Sequence, residues 1–586
     1  MCGIIGYLGP GDGAAIVLEG LRNLEYRGYD SYGFALKTNP GMQIVKRVGK
    51  IKDFPGFECK KAACIALGHT RWATHGAVTE ANAHPHTDCT GNIAIVHNGI
   101  IENFQELRKE LKSKGHRFGS ETDSEIVAHL IEEYSKDGDL VDAAKKAVSR
   151  LEGSYAILAV KRDENLIVAA RRGSPLVVGV GKGEYFIASD IPAFLRHTKN
   201  VVYLYDEDFV VVSEGLKVYN LKTGTVVERN VDTIEWDVEQ ARKGQFPHYM
   251  LKEISEQAET VKRASEQDPG IIRKMAERIN HAYGVFFVAA GSSYHACLAA
   301  SYIFSKVARK HINVVLASEF PNYEHFLTER TLVIAVSQSG ETADVLSAVK
   351  AARDRGSEIM SIVNVMGSSL TRYSDHFLMM HAGPEICVLS TKTYTSQVAL
   401  LVLLAYSCAG KYEEGKRIMT YAWNQAYNLT SRNTREFVRR LAGELKDKEH
   451  IFLIGRDLQY ATAMEAALKI KEVSYIHAEG FAGGELKHGT MALIEEGTPC
   501  IVFASEGNEK DILSNVMEIK ARGARIIGIA PKNDENYDCF IKVPEMGDAN
   551  PIGQIIPMQL LAYELAVLRG CDVDKPRNLA KSVTVI

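Results

Sequence analysis

The chain has 586 residues, 46% hydrophobic and 24% charged, enough for two to four domains of an ordinary globular protein at ~100–200 residues each. A net charge of −4, without polybasic runs or a lipidation signal, argues against nucleic-acid and membrane partners. Ten cysteines without a CxxC pair give neither a disulfide framework nor a zinc site, and with no secretory signal a reducing cytoplasm is expected.

The first residues, MCGIIGYLGP, set a cysteine directly ahead of a strand-like apolar run. Removal of the initiator methionine would leave Cys2 with a thiol and a free amine on one carbon. Short β-type runs follow, through IAIVHNGI, SYAILAV, LIVAA, EYFIAS, VVYLY, DFVVVS and GLKVYNL. Helical patterns interrupt them at NFQELRKELKSKG and SEIVAHLIEEY. The pattern predicts an α+β sandwich of packed sheets with helices outside, over 1–236. A polar stretch with Gly244 and Pro247 then marks a linker at 237–249.

Beyond the linker strand and helix alternate, and they do so twice. Strand-like runs begin near Val285, Leu332, Ile359 and His376, and again near Ile451, Cys500, Arg525 and Phe540. Their starts are separated by 47, 27 and 17 residues in the first series and by 49, 25 and 15 in the second. Two α/β doubly wound parallel-sheet subdomains related by duplication are predicted, at 250–412 and 413–570, with a tail at 571–586. The longest uncharged stretch, Thr393 to Gly410, has too short an apolar part to cross ~30 Å of hydrocarbon and reads as a buried helix.

In such sheets ligands sit beyond the carboxyl ends of the strands. After the run LVIAV comes SQSGET, Ser337 to Thr342, and then a helical pattern. Hydroxyls, a glycine and a helix N-terminus make an anion seat, although serines ahead of helices also serve as plain N-caps. Ser292 and Ser293 in AAGSSYHA, with Ser390 and Thr391 in VLSTKTYT, add hydroxyls and favour a phosphorylated ligand. The second series has SEGNEK at the equivalent place, where Glu506 would repel phosphate, so one phosphate site per chain is expected. That series instead offers ALKIKEVSY, with Lys469 and Glu472 three apart on one helix face. Such a pair is either a solvated salt bridge or acid–base equipment for moving a proton between adjacent carbons. His488 follows in the glycine-rich GGELKHG. Cys59 and Cys64 with His69 admit a metal reading, but separate core thiols fit them better.

Together, MCGIIGYLG, LEYRGYDSYG, GHTRWATHG, AHPHTD, HNGIIEN and SETDSE resemble the class II glutamine amidotransferases, the N-terminal-nucleophile glutaminases. SQSGET, STKTYTSQ, ALKIKEVSYIHAE, GGELKHG and KPRNLAKSVTV resemble the paired sugar isomerase domains. The resemblance covers essentially the whole chain. It implies an enzyme that moves nitrogen from glutamine onto fructose 6-phosphate, giving glucosamine 6-phosphate and glutamate for amino-sugar (UDP-GlcNAc) biosynthesis.

By that resemblance Cys2 attacks the glutamine amide, with its own α-amine, pKa ~7.7–8.0, as base. Asn98 and the Gly99 N–H form the oxyanion hole. Arg71 holds the glutamine α-carboxylate and Asp123 its α-ammonium, while Thr74 and His75 belong to the same substrate loop. Trp72 gates the ammonia passage, and His84, His86 and His97 are structural. Ser292, Ser293, Ser337, Gln338, Ser339 and Thr342 bind the sugar phosphate, with Ser390 nearby. Lys581 forms an imine with the C2 ketone, and His488 opens the sugar ring from the neighbouring subunit. Glu472 moves the proton between C1 and C2 with help from Lys469, and the tail closes the sugar site. A cytoplasmic homodimer is implied, without metal, nucleotide or redox cofactor.

Four positions depart from the family pattern. Ala290 stands where a cysteine is common, Ser292 where threonine is usual, Tyr32 where a small residue is frequent, and Ile586 where a glutamate is expected. The long insertion of eukaryotic relatives is absent, which implies a short prokaryote-like enzyme. Two alternatives come from other classes. A sugar-phosphate deglycase or isomerase working with the second half alone would require a decayed N-terminal site, yet Cys2, Arg71, Asn98, Gly99 and Asp123 are in place. A non-enzymatic sugar-phosphate sensor would carry a DNA-binding helical segment and a basic patch, and neither is visible. Amidophosphoribosyltransferases share such a glutaminase but need a pyrophosphate loop that this sequence lacks.

Overall fold

The computed structural model describes residues 2–38, 41–57, 63–73, 76–234 and 243–584. The chain forms two compact units, Met1–Arg242 with Ala580–Ile586, and Lys243–Leu579. Of the linker expected at 237–249, residues 237–242 lie outside the described ones.

The first unit packs two antiparallel sheets face to face. One runs in the order Asp232–Thr233, Asn200–Tyr203, Val177–Val180, Tyr185–Ala188, Gly3–Leu8, Ile65–Arg71, Ser31–Thr38 and Gly41–Val48. The other runs Leu216–Asn220, Asp208–Val212, Ile167–Arg172, Gly153–Lys161, Ile93–Ile101 and His86–Thr87. Successive strand residues point to opposite faces. Ile4 accordingly joins Leu67, Val96 and Leu158 in the inter-sheet core, while Ile5 packs against Gly20 of the helix Gly13–Asn23. At Gly6 a Cβ would come within 2.6 Å of Leu158, so the glycine lets the sheets approach. The outer face of the second sheet is covered by helices Phe104–Ser113, Glu125–Tyr134 and Leu140–Ser149 through Leu107, Leu111, Ile126, Leu130 and Ala147. This is the sandwich with outer helices that the sequence predicts.

The second unit holds two parallel five-stranded sheets. The first is ordered Asn313–Leu316, Gly284–Ala289, Thr331–Ser337, Glu358–Val363 and His376–Met379. The second is ordered His477–Ala482, His450–Gly455, Pro499–Phe503, Arg525–Ala530 and Cys539–Lys542. In each the strand second in sequence sits at the edge beside the first, so both share one winding. Each series has five strands where the sequence suggests four. The additional strand is an edge strand, four residues in one half and the polar HAEGFA in the other, and neither carries a long apolar run. Helix Lys392–Cys408, from the long uncharged stretch, is buried along most of its length. Gly547–Leu568 alone among the described helices is long and apolar enough to cross a membrane, and 89% of its apolar window is buried within the fold.

Candidate active site

Strand pairing places Gly3 opposite Thr70, which brings Cys2 beside the end of Ile65–Arg71. The Trp72 backbone N–H donates to Cys2 Sγ at 3.2 Å, and the thiol points back at the Trp72 carbonyl at 3.5 Å. Burial pushes the Cys2 thiol up, while the Trp72 N–H and the Arg71 guanidinium pull it down. A Cβ at Gly28 would lie 2.8 Å from the Thr70 carbonyl, so only glycine lets this segment close on the strand end. Asp30 then fixes the loop, since its carboxylate accepts the Ala73 N–H at 2.9 Å and its own N–H donates to the Arg71 carbonyl at 2.9 Å.

Asn98 is held with its amide nitrogen toward Cys2. Nδ2 donates to the Cys2 carbonyl at 2.8 Å, while the His69 Nε2–H lies 3.1 Å from both Asn98 Oδ1 and the His97 carbonyl. With acceptors on that nitrogen His69 is the Nε2–H tautomer, and burial lowers its pKa to about 3, which keeps it neutral. Next in sequence, Gly99 has φ +123°, and a Cβ there would sit 2.0 Å from the Ser154 carbonyl. No other residue fits. Arg71 is buried and donates to the Ala77 and Gly76 carbonyls at 3.1 and 3.2 Å. Asp123, also buried, accepts from the Ile101 N–H at 2.9 Å, which anchors it to the strand bearing Asn98 and Gly99.

Thr74, His75 and Ile586 lie outside the described residues. Trp72 is half-buried. Tyr32 is buried with its ring edge-on to Phe34 and Phe54 and serves packing inside this unit. Burial holds His84, His86 and His97 below the ordinary histidine range. His97 meets Ser124 at 2.8 Å and His86 meets Thr122 at 3.0 Å, on either side of Asp123. Sequence reasoning missed Asp30 and the part His69 plays toward Asn98. The conspicuous YDS and GHT contexts were the available signals.

In the second unit, the crevice between strands Gly284–Ala289 and Thr331–Ser337 is the point where strand order reverses. Ser292 and Ser293 open the helix Ser292–Ile303 after the first of these strands, and Ser337 ends the other. The Ser337 hydroxyl accepts the Gly340 N–H at 3.1 Å and lies 3.3 Å from the Thr342 hydroxyl, and the Ser339 hydroxyl accepts the Glu341 N–H at 3.1 Å. Gly340 has φ +64°, and a Cβ would strike Ser368 at 2.2 Å. The loop's only acid, Glu341, accepts the Ser369 N–H at 2.7 Å. Gln338, half-buried, takes the Asn364 N–H on its carbonyl at 3.1 Å. The Ser293 hydroxyl accepts from Gln397 at 3.0 Å, and Ser390 meets Thr393 at 2.7 Å in a loop that the Glu385 carboxylate binds through the Thr391 and Thr393 N–H groups.

Lys469 lies fully buried on helix Leu458–Ser474, 2.6 Å from Glu472 and 3.5 Å from Glu465. Burial alone would lower the ammonium's pKa, but Glu472 and Glu465 outweigh it and raise the value. Glu465 also meets His295 Nδ1 at 2.8 Å, and His295 stands one turn into the helix that begins with Ser292. Contacts therefore run from the helix that begins with Ser292, through His295 and Glu465, to the Lys469–Glu472 pair. Glu465 and His295 were missed, although Glu465 stands four residues before Lys469. His488 is exposed on the turn Gly483–His488, and among the described residues no contact joins it to that pair. Lys581, half-buried, belongs to the segment that clusters with the first unit.

Comparison with known proteins matches residues 69–196 to a glutamine amidotransferase domain and residues 278–407 and 444–569 to the SIS domain. The chain is 46% identical, over the full length of both, to the glutamine–fructose-6-phosphate aminotransferase [isomerizing] of Thermococcus kodakarensis. It is 45% identical, again end to end, to the protein of that name from Methanothermobacter thermautotrophicus. The solved C-terminal domain of glucosamine-fructose-6-phosphate aminotransferase from Francisella tularensis is 33% identical, with a TM-score of 0.52 over 57% of this chain and 99% of that one.

Proposed function

Because the chain belongs to the glutamine–fructose-6-phosphate aminotransferase (isomerizing) family, we propose a division of its reaction among the residues described above. The enzyme converts fructose 6-phosphate and glutamine to glucosamine 6-phosphate and glutamate. The observation that carries the residue assignment is the setting of Cys2, whose thiol takes the Trp72 N–H while its carbonyl takes the Asn98 amide N–H from the other sheet.

After removal of Met1, the Cys2 amine takes the thiol proton, and the sulfur attacks the side-chain carbonyl of glutamine. Negative charge develops on the amide oxygen, where Asn98 Nδ2 and the Gly99 N–H donate, each worth about 3–4 kcal/mol. The Cys2 ammonium gives its proton to the amide nitrogen, ammonia leaves as the thioester forms, and water then releases glutamate and restores the thiol. Arg71 pairs with the substrate carboxylate and Asp123 with its ammonium, which selects glutamine over simple amides. Trp72 controls the exit of ammonia, since ammonium is not a nucleophile and a dry passage keeps the molecule neutral.

Ser292, Ser293, Ser337, Gln338, Ser339 and Thr342 seat the sugar phosphate on loop hydroxyls and helix N-termini, with Ser390 beside them. Lys581 forms an imine at C2, which ammonia displaces. Glu472 carries the proton from C1 to C2, and the Lys469 ammonium, 2.6 Å away, holds that carboxylate in place. His488 acts in ring opening from a second subunit of a homodimer, and the enzyme works in the cytoplasm. The test is to incubate the protein with both substrates and measure glutamate and amino sugar separately. Equal amounts are expected, and Cys2→Ala abolishes both. Glutamate without amino sugar would reduce the protein to a glutaminase.

A further inference from the structure

Away from Cys2, the first unit gathers four metal-type side chains from three segments. Cys89 lies just beyond the strand His86–Thr87, His116 follows helix Phe104–Ser113, and His129 and Glu132 are three apart on helix Glu125–Tyr134. One donor atom from each lies within 4.8 Å of all the others. Cys89 Sγ is 3.5 Å from His129 Nδ1 and 3.7 Å from His116 Nδ1. Glu132 Oε2 is 2.9 Å from His116 Nδ1 and 3.2 Å from His129 Nδ1. A tetrahedral zinc site with Zn–N ~2.0–2.1 Å and Zn–S ~2.3 Å has roughly 3.3–3.6 Å between its donors. The four atoms already stand close to such vertices.

The surroundings match those of a metal site as well. Both histidines turn Nδ1 inward, and a carboxylate meets each outer nitrogen, Glu133 at 3.3 Å from His116 Nε2 and Glu125 at 3.5 Å from His129 Nε2. Such carboxylates fix the tautomer that leaves the inner lone pair for a metal. The Arg117 N–H donates to Cys89 Sγ at 3.4 Å, which supports a thiolate. Both imidazoles are buried while Cys89 is exposed, so the site has rigid walls and an entry side.

We propose that Cys89, His116, His129 and Glu132 bind one divalent transition-metal ion, with Zn²⁺ the best match to a thiolate, two imidazoles and a carboxylate. Binding releases the thiol proton to solvent. The ion ties three segments together. Glu125, facing His129, also accepts the Gly119 and Ser120 N–H groups at 2.7 and 2.8 Å, so the clasp braces the stretch that presents Asp123. Its role is structural, and the sequence reading, which expected no metal, did not anticipate it.

The experiment uses the full-length chain, stripped with a chelator, reloaded with Zn²⁺ or Co²⁺ and desalted. Expected are one metal per chain by elemental analysis and, for Co²⁺, tetrahedral ligand-field bands with a thiolate charge-transfer band. Cys89→Ser removes that band and weakens Zn²⁺ at least ~10-fold, whereas Cys2→Ala and Cys64→Ser retain both. If Cys89→Ser fails to fold by circular dichroism, Glu132→Gln decides, with the charge-transfer band kept and metal retention reduced. No stoichiometric metal, or a band lost in Cys2→Ala rather than Cys89→Ser, overturns the proposal.

Discussion

The two halves of the second unit share a strand order and differ in what their loops do. In the first half, the loop after Thr331–Ser337 turns its acid, Glu341, onto the Ser369 N–H. In the second, the loop after Pro499–Phe503 satisfies itself. The Ser505 hydroxyl donates to Asn508 at 3.1 Å, Asn508 donates to Gln459 at 2.8 Å, and the Glu506 N–H is bound by the chain's own Glu545 carboxylate at 2.9 Å. One copy carries hydroxyls and ties its acid to a neighbouring N–H, and the other has an internal carboxylate on a loop N–H, a contrast that supports the proposed single phosphate seat. The helices after the first strands diverge too. One begins with Ser292 and Ser293, and the other carries Glu465, Lys469 and Glu472 along its length, the two meeting through His295 and Glu465. Buried apolar strands fix the winding, which leaves loop and helix chemistry free to specialise.

The largest effect should come from giving the first loop the charge of the second. Ser339→Glu should cut kcat/KM for amino-sugar formation at least ~100-fold by like-charge repulsion, while glutamate release from glutamine alone persists. Glu472→Gln should lower kcat by about 10²–10⁴ with sugar-phosphate binding retained, which separates chemistry from seating. A fall in binding alone would move Glu472 into the seat. Glu465→Gln should be milder, roughly 10-fold or less in kcat, with a shifted pH profile. Glu465 and Glu472 raise the Lys469 pKa, so neutralising Glu465 lowers it and moves the alkaline limb toward lower pH. An unchanged limb would detach Lys469 from the rate.

Much of this contrast is legible in the sequence, because strands such as LVIAV and CIVFA are continuous apolar runs at matching intervals, and Glu506 already sets an acid in the second loop where the first has SQSG. The edge strands Asn313–Leu316 and His477–Ala482 are not, since a short strand paired on one side needs little apolar character. Cys2, Arg71, Asn98, Gly99 and Asp123 stand out through their motifs. Their supports are hidden, because the Asp30–Ala73 and His69–Asn98 contacts join segments that only sheet pairing brings together. The Cys89 cluster is hidden for the same reason. Its ligands come from a turn, a loop and a helix, without the close spacing that betrays most zinc sites.

The most direct test is the stoichiometry of fructose 6-phosphate on the Cys2→Ala protein, which under the proposed mechanism should not turn over glutamine. Equilibrium binding should give one site per chain, lost in Ser339→Glu and kept in Glu506→Ser. Two sites per chain, or binding that survives Ser339→Glu, would contradict the division between the two halves.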